Sequence, residues 1–218
     1  MKIKYEVKKI KDIKADIVSS VTFEDQVSTK MHWLNTLFKG TLDTLIETND
    51  FKAKSSTSIL TYLGPDNRSK RLMVIGLGNS KEVTLETIRK SYAAAAKRLN
   101  AMKLTAVGFE VPDLAYIKSI TNASHYDIMQ AICEGVFLTQ YSPKKYHAKN
   151  DFVPFNEVIF FTDSPKYTRE ATEALKDAKV ICDAAIVARE LENEPSNFLT
   201  PDKFAEYVKK SSVKAGYQ

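Results

Sequence analysis

Short runs of β-forming residues alternate with amphipathic helical segments along most of this chain, and this order limits the folds it can adopt. Residues 2–7, 16–23, 57–63, 71–77, 105–111 and 157–162 have the composition or alternation of strands. Between several of them, apolar residues recur every three or four positions, as on one face of a helix. The alternation predicts an α/β domain whose largely parallel or mixed sheet is flanked by helices.

Local signals place several elements of this domain. Residues 57–63 and 71–77 are separated by Gly64-Pro65-Asp66-Asn67, a strong turn signal. Residues 72–75 are all apolar, which predicts a central strand covered on both faces. Residues 2–7 alternate lysine with apolar residues and are interpreted as an edge strand. Helices are predicted for residues 31–38, 42–46 and 84–99, and for a segment that Ser124 and Asp127 start with a capping box.

A long helix is predicted for residues 168–192, after a polar loop at 143–154 and the last strand. Small and apolar residues recur along this helix at a spacing that puts them on one side. This predicted inward stripe consists of Ala171, Ala174, Leu175, Ala178, Ile181, Cys182, Ala185 and Ala188. Its many alanines predict a close approach to a neighbouring helix or sheet.

Composition excludes several classes of protein. The chain has 218 residues, of which 44% are hydrophobic and 27% charged, as expected for a globular protein. No apolar run approaches the roughly 18 residues of a membrane helix, and the first residues lack the apolar block of a signal peptide. Cys133 and Cys182 lie far apart in helical patterns, which favours reduced, buried thiols. We therefore expect a cytoplasmic protein with no membrane association.

Lysines are concentrated near the start of the chain, which carries a net charge of +5. They are Lys2, Lys4, Lys8, Lys9, Lys11 and Lys14. One interpretation is a patch that binds phosphate or nucleic acid. We favour a solvated edge strand that lysine protects from aggregation, because no aromatic-basic motif or recognition helix accompanies the charge.

A second candidate site is Gly76-Leu77-Gly78, which follows a predicted strand and precedes a predicted helix. Glycines at such a turn are typical of phosphate-binding loops. However, the third glycine of a dinucleotide fingerprint would fall at position 81, which is Lys81, and no GKS or GKT string occurs. A tight strand-to-helix turn is the favoured interpretation.

Metal-binding and nucleophilic sites lack a recognisable pattern. His32, His125 and His147 are scattered, with no HExxH motif and no paired cysteines. Neither cysteine has a nearby histidine in sequence to activate it. Trp33 and Tyr141 are interpreted as core or rim aromatics. We therefore assign no catalytic, cofactor-binding or metal-ligating residue to this chain.

The segment 188–201, with the sequence ARELENEPSNFLTP, predicts the end of one helix, a turn and the start of a new helix. Pro195 disfavours helix at the residue before it, and Thr200 followed by Pro201 is an N-cap with proline at the first helical position. Because a new element opens so close to Gln218, we expect the chain to stop just inside a second domain.

This string is similar to the segment ARxLxNxPxNxLTP of the leucyl (cytosol) aminopeptidases of the M17 class, which are two-metal exopeptidases. The matching positions are Ala188, Arg189, Leu191, Asn193, Pro195, Asn197, Leu199, Thr200 and Pro201, with Glu190 where the family often has aspartate. Weaker similarities are RLMVIGLG at 71–78 and EGVFLTQY at 134–141. The family's metal ligands and catalytic lysine and arginine lie in a glycine-rich domain with a segment like NTDAEGR, which this sequence lacks.

The resemblance implies a domain organisation and a function for the parent enzyme. It implies a macro-like N-terminal α/β domain at 1–165, a linker helix and turn at 166–195, and the truncated start of a catalytic domain at 196–218. The parent would release N-terminal amino acids from peptides with two divalent metals, zinc, manganese or magnesium, in a cytoplasmic homohexamer. This domain would contribute to oligomer assembly and active-site access beside the catalytic domain of the same polypeptide. The chain alone, with no cofactor, is expected to be inactive.

Three alternatives stay open at this point. Macro-like domains elsewhere bind ADP-ribose, some bacterial members of the family bind DNA, and a short paralogue could join full-length subunits as an inactive partner. Within the linker string, Arg189, Asn193 and Asn197 would lie near an active site or would bond the turn and its carbonyls. We favour the second role, because turn chemistry already accounts for these side chains.

Overall fold

The computed structural model describes residues 1–143 and 151–216, and these contain six strands and seven α-helices. The strands are β1 (Lys2–Val7), β2 (Ile17–Thr22), β3 (Ser58–Tyr62), β4 (Arg71–Gly76), β5 (Ala106–Glu110) and β6 (Glu157–Thr162). The helices are α1 (Val27–Leu37), α2 (Asp43–Thr48), α3 (Leu85–Ala101), α4 (Leu114–Thr121), α5 (His125–Phe137), α6 (Thr168–Glu192) and α7 (Pro201–Ala215). None of these helices has both the length and the apolar character needed to cross a membrane.

The strands form one mixed sheet in the order β1-β6-β5-β2-β4-β3. The first five strands in this order run parallel, and β3 pairs antiparallel with β4 at the far edge. The predicted edge position of β1 is confirmed, and so is the burial of β4, whose residues 72–76 are all inaccessible. The predicted α/β class, a mixed sheet flanked by helices and followed by a long helix, is also confirmed.

Successive side chains of each strand point to opposite faces of the sheet and pack into a hydrophobic core on each face. On β6, Val158 and Phe160 pack in the larger core with α3, α5 and the first half of α6. Ile159 and Phe161 point to the opposite core, which α1 and the segment around Phe51 cover. The sheet is thus the middle of three layers, and every central strand is buried on both faces.

Local capping fixes where two of the covering helices begin. The Thr84 hydroxyl accepts a hydrogen bond from the Thr87 amide at 3.1 Å, and α3 starts at the next residue. The predicted capping box of α5 is confirmed, with Ser124 accepting from the Asp127 amide and Asp127 accepting from the Ser124 amide. Such caps satisfy amides that have no partner within the helix.

Helix α6 has the predicted bounds, and six of the eight residues of its predicted inward stripe are buried or half-buried, but Ile181 and Ala188 are wrong. Ala171, Ala174, Ala178 and Cys182 are buried, whereas Ile181 is 48% exposed. Ala188 is exposed as well. Ile181 is exposed because it faces away from the side that holds Ala178 and Cys182, both of which are buried. Ala188 is exposed because α6 has 25 residues and its main partner α5 has only 13, so the last turns of α6 extend beyond α5.

Helix α7 starts as the sequence predicts, with the Thr200 hydroxyl accepting from the Lys203 amide and Pro201 in the first turn. All its side chains from 201 to 210 are exposed. Helix α4 was not predicted, although Asp113 caps it. The described parts of the predicted loop at 143–154 have no helix or strand, and 144–150 lie outside the described residues. The division into 1–165, 166–195 and 196–218 stays a prediction.

Candidate functional site

The main candidate site is a cleft of about 780 Å³ at the carboxyl ends of β2, β5 and β6. The chain leaves β2 for β4 on one side and later returns to β5 on the other side. The strand order therefore reverses between β2 and β5. In open parallel sheets, ligands bind in the crevice outside the carboxyl ends of the strands at such a reversal.

An ion pair joins the two sides of the cleft. The Lys30 ammonium of α1 lies 2.9 Å from Oε1 and 3.1 Å from Oε2 of Glu110, the last residue of β5. The Ser20 hydroxyl and the Val21 amide donate to Oε2 at 2.5 and 2.8 Å. Only 16% of the Glu110 side chain and 23% of the Lys30 side chain are exposed, so the pair is largely shielded from solvent. Within the pair, the two opposite charges neutralise each other.

Aromatic rings form the walls of the cleft. Trp33 is 45% exposed, and the Lys30 ammonium lies 4.6 Å from the centre of its ring. Phe23 and Tyr116 meet edge to face at 5.7 Å on the opposite side, where the Gln26 amide donates to the Tyr116 hydroxyl at 2.7 Å. These contacts hold the aromatic rings of the walls in defined orientations.

Exposed charges line the mouth of the cleft. Asp25, Asp113, Asp163 and Lys166 all lie there. Two hydrogen bonds from Ser80 hold the pKa of Asp25 below its usual range. The bond from the Ser80 hydroxyl lowers this pKa more than the bond from the Ser80 amide. Asp113 accepts from the amides that open α4. The mouth therefore carries more carboxylates than ammonium groups.

The turn at Gly76-Leu77-Gly78 lies against protein backbone rather than against this cleft. A Cβ on Gly76 would come within 2.4 Å of the Ala53 carbonyl carbon. The Gly76, Leu77 and Gly78 amides donate to the carbonyls of Thr57, Thr22 and Ala53. These contacts agree with the predicted tight turn, and they use the amides that a phosphate would need.

Comparison with known proteins assigns the family. A model of the N-terminal domain of the cytosol aminopeptidase family matches residues 20–150, more than half of the chain. The chain belongs to the cytosol aminopeptidase family. A probable cytosol aminopeptidase of Thermosynechococcus vestitus is 32% identical over 200 residues, which cover 90% of this chain and 37% of that protein. The chain thus spans about two fifths of the length of the curated relatives it matches, with 33% and 40% for two others.

Solved structures, among them a leucine aminopeptidase, show the same fold. A tomato leucine aminopeptidase variant superposes with a TM-score of 0.80 over 98% of this chain and 42% of its own, at 19% identity. The bottromycin maturation enzyme BotP gives a TM-score of 0.63 over 93% of this chain and 38% of its own, at 21% identity. At these identities the likeness concerns the fold alone.

The linker string of this aminopeptidase-family chain forms structural contacts. The Asn193 amide donates to the Arg189 carbonyl at 2.7 Å and to the Tyr141 hydroxyl at 3.1 Å. The Arg189 guanidinium donates to the Leu138 carbonyl. In the turn that follows, the Phe198 and Leu199 amides donate to the Pro195 carbonyl, so backbone groups bond this turn rather than the expected Asn197 side chain.

Neither of the two described histidines of this family member, and neither cysteine, lines the cleft. His32 is exposed on α1, His125 stacks on Tyr167, and His147 lies outside the described residues. Burial raises the pKa of the Cys133 thiol and raises that of Cys182 to about 11. Thiols this reluctant to ionise are poor nucleophiles. Within residues 1–143 and 151–216, no three His, Cys, Asp or Glu side chains are placed to hold a metal ion.

No motif in the sequence indicated the residues of the cleft. Glu110 falls inside a predicted strand, Trp33 was interpreted as a core or rim aromatic, and Lys30 and Tyr116 belong to no predicted site. A usable signal was present, because polar residues at the carboxyl ends of predicted parallel strands meet at one edge of a sheet. The partnership of Lys30 with Glu110 has no such signal, since 80 residues separate them.

Proposed function

We propose that this chain is the non-catalytic N-terminal domain of a cytosol aminopeptidase whose full-length form releases N-terminal amino acids from peptides. The observation that carries the proposal is the family match over residues 20–150. The printed names of the relatives, probable cytosol aminopeptidases, support the activity of the parent enzyme. The catalytic domain of the same polypeptide would be the partner of this domain, in a cytoplasmic homohexamer.

The described residues do not fit the metal site of such an enzyme. Two-metal hydrolysis needs several carboxylates around a pair of ions. Among the described His, Cys, Asp and Glu residues, no group of three is close enough to hold even one ion. The two divalent metals, zinc, manganese or magnesium, therefore belong in this proposal to the catalytic domain. We expect no peptide hydrolysis by the 218 residues alone.

Exposed apolar side chains on α6 and α7 support a role in contacts between domains or subunits. We call them the α6–α7 apolar surface: Val180, Ile181, Val187, Phe204, Tyr207, Val208 and Val213, all more than a third exposed. On α6, Val180 and Val187 are seven residues apart on one face, on the side of the helix opposite the buried stripe. A groove between α6 and α7 continues the surface through Leu191 and Leu199. Exposed apolar side chains beside such a groove are typical of an interaction site.

We infer that the rest of an aminopeptidase chain covers this surface. The relatives extend over more than twice the length of this chain, and the surface flanks the linker string, where their remaining residues would follow. Contacts made there would set the position of this domain over the catalytic domain. That position would determine how subunits assemble and how substrates reach the active site.

An activity assay tests the first part of the proposal. The purified chain should not hydrolyse leucine-p-nitroanilide when Mn²⁺ is added, and an active cytosol aminopeptidase measured beside it serves as the positive control. Metal-dependent turnover that co-purifies with the 218-residue chain would show that it carries its own active site.

A sedimentation experiment tests the second part. The isolated chain should associate as its concentration rises, because the α6–α7 apolar surface is uncovered. Val180→Asp combined with Val187→Asp should keep it monomeric without lowering its melting temperature. The control replaces two exposed apolar residues elsewhere, Tyr62→Asp with Met102→Asp. If this control abolishes association equally, or the native chain never associates, the surface has no such role.

The three alternatives have less support. The Gly76–Gly78 amides are engaged by protein carbonyls, which weighs against a diphosphate at that turn. Lys4 and Lys8 pair with Glu157 and Glu6, which reduces the positive charge that β1 offers to DNA. A role as a short inactive paralogue depends on the same α6–α7 apolar surface, and the sedimentation experiment measures that surface directly.

A further inference from the structure

The cleft at the carboxyl ends of β2, β5 and β6 has no part in the proposed contact role. Its volume of about 780 Å³ is large enough for a small ligand. It combines apolar walls with a few fixed polar groups, the usual composition of a ligand site. The question is therefore which chemical class of ligand its lining favours.

Charge distinguishes the cleft from the rest of the molecule. The chain as a whole carries a net charge of +5. The cleft instead has four carboxylates, on Asp25, Glu110, Asp113 and Asp163, and two ammonium groups, on Lys30 and Lys166. Since Glu110 and Lys30 neutralise each other, the remaining lining has three carboxylates and one ammonium group, and Lys81, near Asp25, adds one positive charge outside the lining. This balance attracts cations and repels anions.

The aromatic walls favour the same class of ligand. A cation is attracted to the face of an aromatic ring within about 6 Å of its centre. Lys30 already shows this preference inside the cleft, because its ammonium lies 2.9 Å from a Glu110 oxygen and 4.6 Å from the Trp33 ring. Tyr116 and Tyr167 add further rings beside Asp113 and Asp163. An ammonium or guanidinium group on an apolar stem matches such a lining.

We propose that this cleft binds an organic cation, a guanidinium or primary ammonium group on an aliphatic chain such as an arginine or lysine side chain. The stem lies against the aromatic walls, and the charged end lies among the carboxylates of the mouth. An anionic nucleotide of similar size meets the same carboxylates unfavourably. The proposal does not depend on the aminopeptidase activity of the parent enzyme.

The single tryptophan of the chain makes this site directly observable. Because Trp33 is the only tryptophan and lines the cleft, its fluorescence reports on ligands there. Acetyl-arginine-amide should change the emission saturably. Acetyl-citrulline-amide, a neutral molecule of nearly the same shape, and ADP-ribose, an anion, should not. Saturable binding of ADP-ribose, equal binding of the citrulline compound, or no binding of the arginine compound would each overturn the proposal.

Two carboxylates of the mouth can be neutralised with little risk to the fold. Asparagine is as good an N-cap as aspartate, so Asp113→Asn keeps the start of α4, and Asp163 is exposed. The double variant Asp113→Asn with Asp163→Asn should bind acetyl-arginine-amide roughly tenfold more weakly. Asp66→Asn, an exposed carboxylate paired with Lys39 outside the cleft, is the matched control and should bind normally.

The salt dependence of the unmodified chain gives an independent measurement. Affinity for acetyl-arginine-amide should fall as NaCl is raised, since screening weakens exposed charge interactions. An affinity that is insensitive both to salt and to the double variant would show that the mouth carboxylates do not recognise the ligand, and the proposal would fail.

Discussion

The two halves of helix α6 both carry apolar residues but differ in how much of them the domain covers. In the first half, Ala171, Ala174 and Ala178 are buried against α5. In the second half only Cys182 is buried, Val187 is 37% exposed, and on α7, which follows, Val213 is 86% exposed. Apolar residues in the first region stabilise the domain by leaving water. The exposed ones in the second region gain little from folding alone, and under the proposed contact role another surface would cover them.

The largest expected effect comes from replacing two phenylalanines, one buried and one exposed. Phe160 on β6 is fully buried between Phe109 and Phe137, whereas Phe204 on α7 is 46% exposed. We expect Phe160→Ala to lower the free energy of unfolding by about 3–5 kcal/mol, from lost burial and the cavity left behind. Phe204→Ala should change it by less than about 0.5 kcal/mol. Urea denaturation measures both, and equal losses would place α7 in the cooperative core.

A second test uses pH. Burial tends to raise the pKa of Asp16, but hydrogen bonds from the Ala106 and Thr105 amides, at 2.9 and 3.0 Å, outweigh it and bring the pKa below the usual 3.8. A carboxylate with a depressed pKa stabilises the fold above its unfolded pKa, and this stabilisation is lost as pH falls through the folded value. Asp16→Asn should therefore cost about 1.5–3 kcal/mol at neutral pH.

The cost of Asp16→Asn should shrink as the pH falls from 3.8 through the lower folded pKa, because the unfolded chain binds the proton first and the native carboxylate last. Its control lies on α7. A hydrogen bond from Lys210 lowers the pKa of Glu206 as well, but the pair is exposed to solvent. Glu206→Gln should leave the urea midpoint unchanged at every pH. A constant gap between the native chain and Asp16→Asn across this range would contradict the assignment.

A third test adds atoms instead of removing them. A Cβ on Gly135 of α5 would lie 2.4 Å from the Arg89 carbonyl oxygen of α3. Gly135→Ala should therefore destabilise the domain by about 1–3 kcal/mol, although alanine favours a helix more than glycine does. Ala188→Leu, on the exposed side of α6, should cost less than about 0.5 kcal/mol. If Ala188→Leu is the costlier of the two in thermal melts, α6 is covered where the structure leaves it open.

The parts of this fold that the sequence predicts are those that local chemistry determines. The bounds of β1, β6 and α6 follow from periodicity, and the starts of α5 and α7 follow from Ser124 and Thr200. Short α4 escaped prediction because its eight residues span about two turns, too few for a clear period. Asp113 and the buried pair Leu114 and Ile117 were its available signal.

Features that depend on residues far apart in the sequence could not be predicted from local patterns. The exposure of Ala188 is decided by the length of α5 and not by the stripe on α6 itself. The cleft requires β2, β5 and β6 to be neighbours, and strand order cannot be derived from the strands one at a time. Glu110 and Lys30 meet only after that order is set. Local composition therefore predicted the elements, and the site came from their arrangement.

The smallest effects are expected from removing the N-caps Ser124 of α5 and Thr200 of α7. The two variants distinguish the stability of the whole domain from the local stability of α7. Ser124→Ala should lower the global stability by about 1 kcal/mol, because α5 is packed in the core and cannot unwind alone. Thr200→Ala removes a similar cap from exposed α7. We expect no change in the urea midpoint there, but roughly fivefold faster amide hydrogen exchange in the first turn of α7. If Thr200→Ala instead lowers the midpoint as much as Ser124→Ala, α7 unfolds with the sheet, and the apolar side chains it exposes belong to the same cooperative unit.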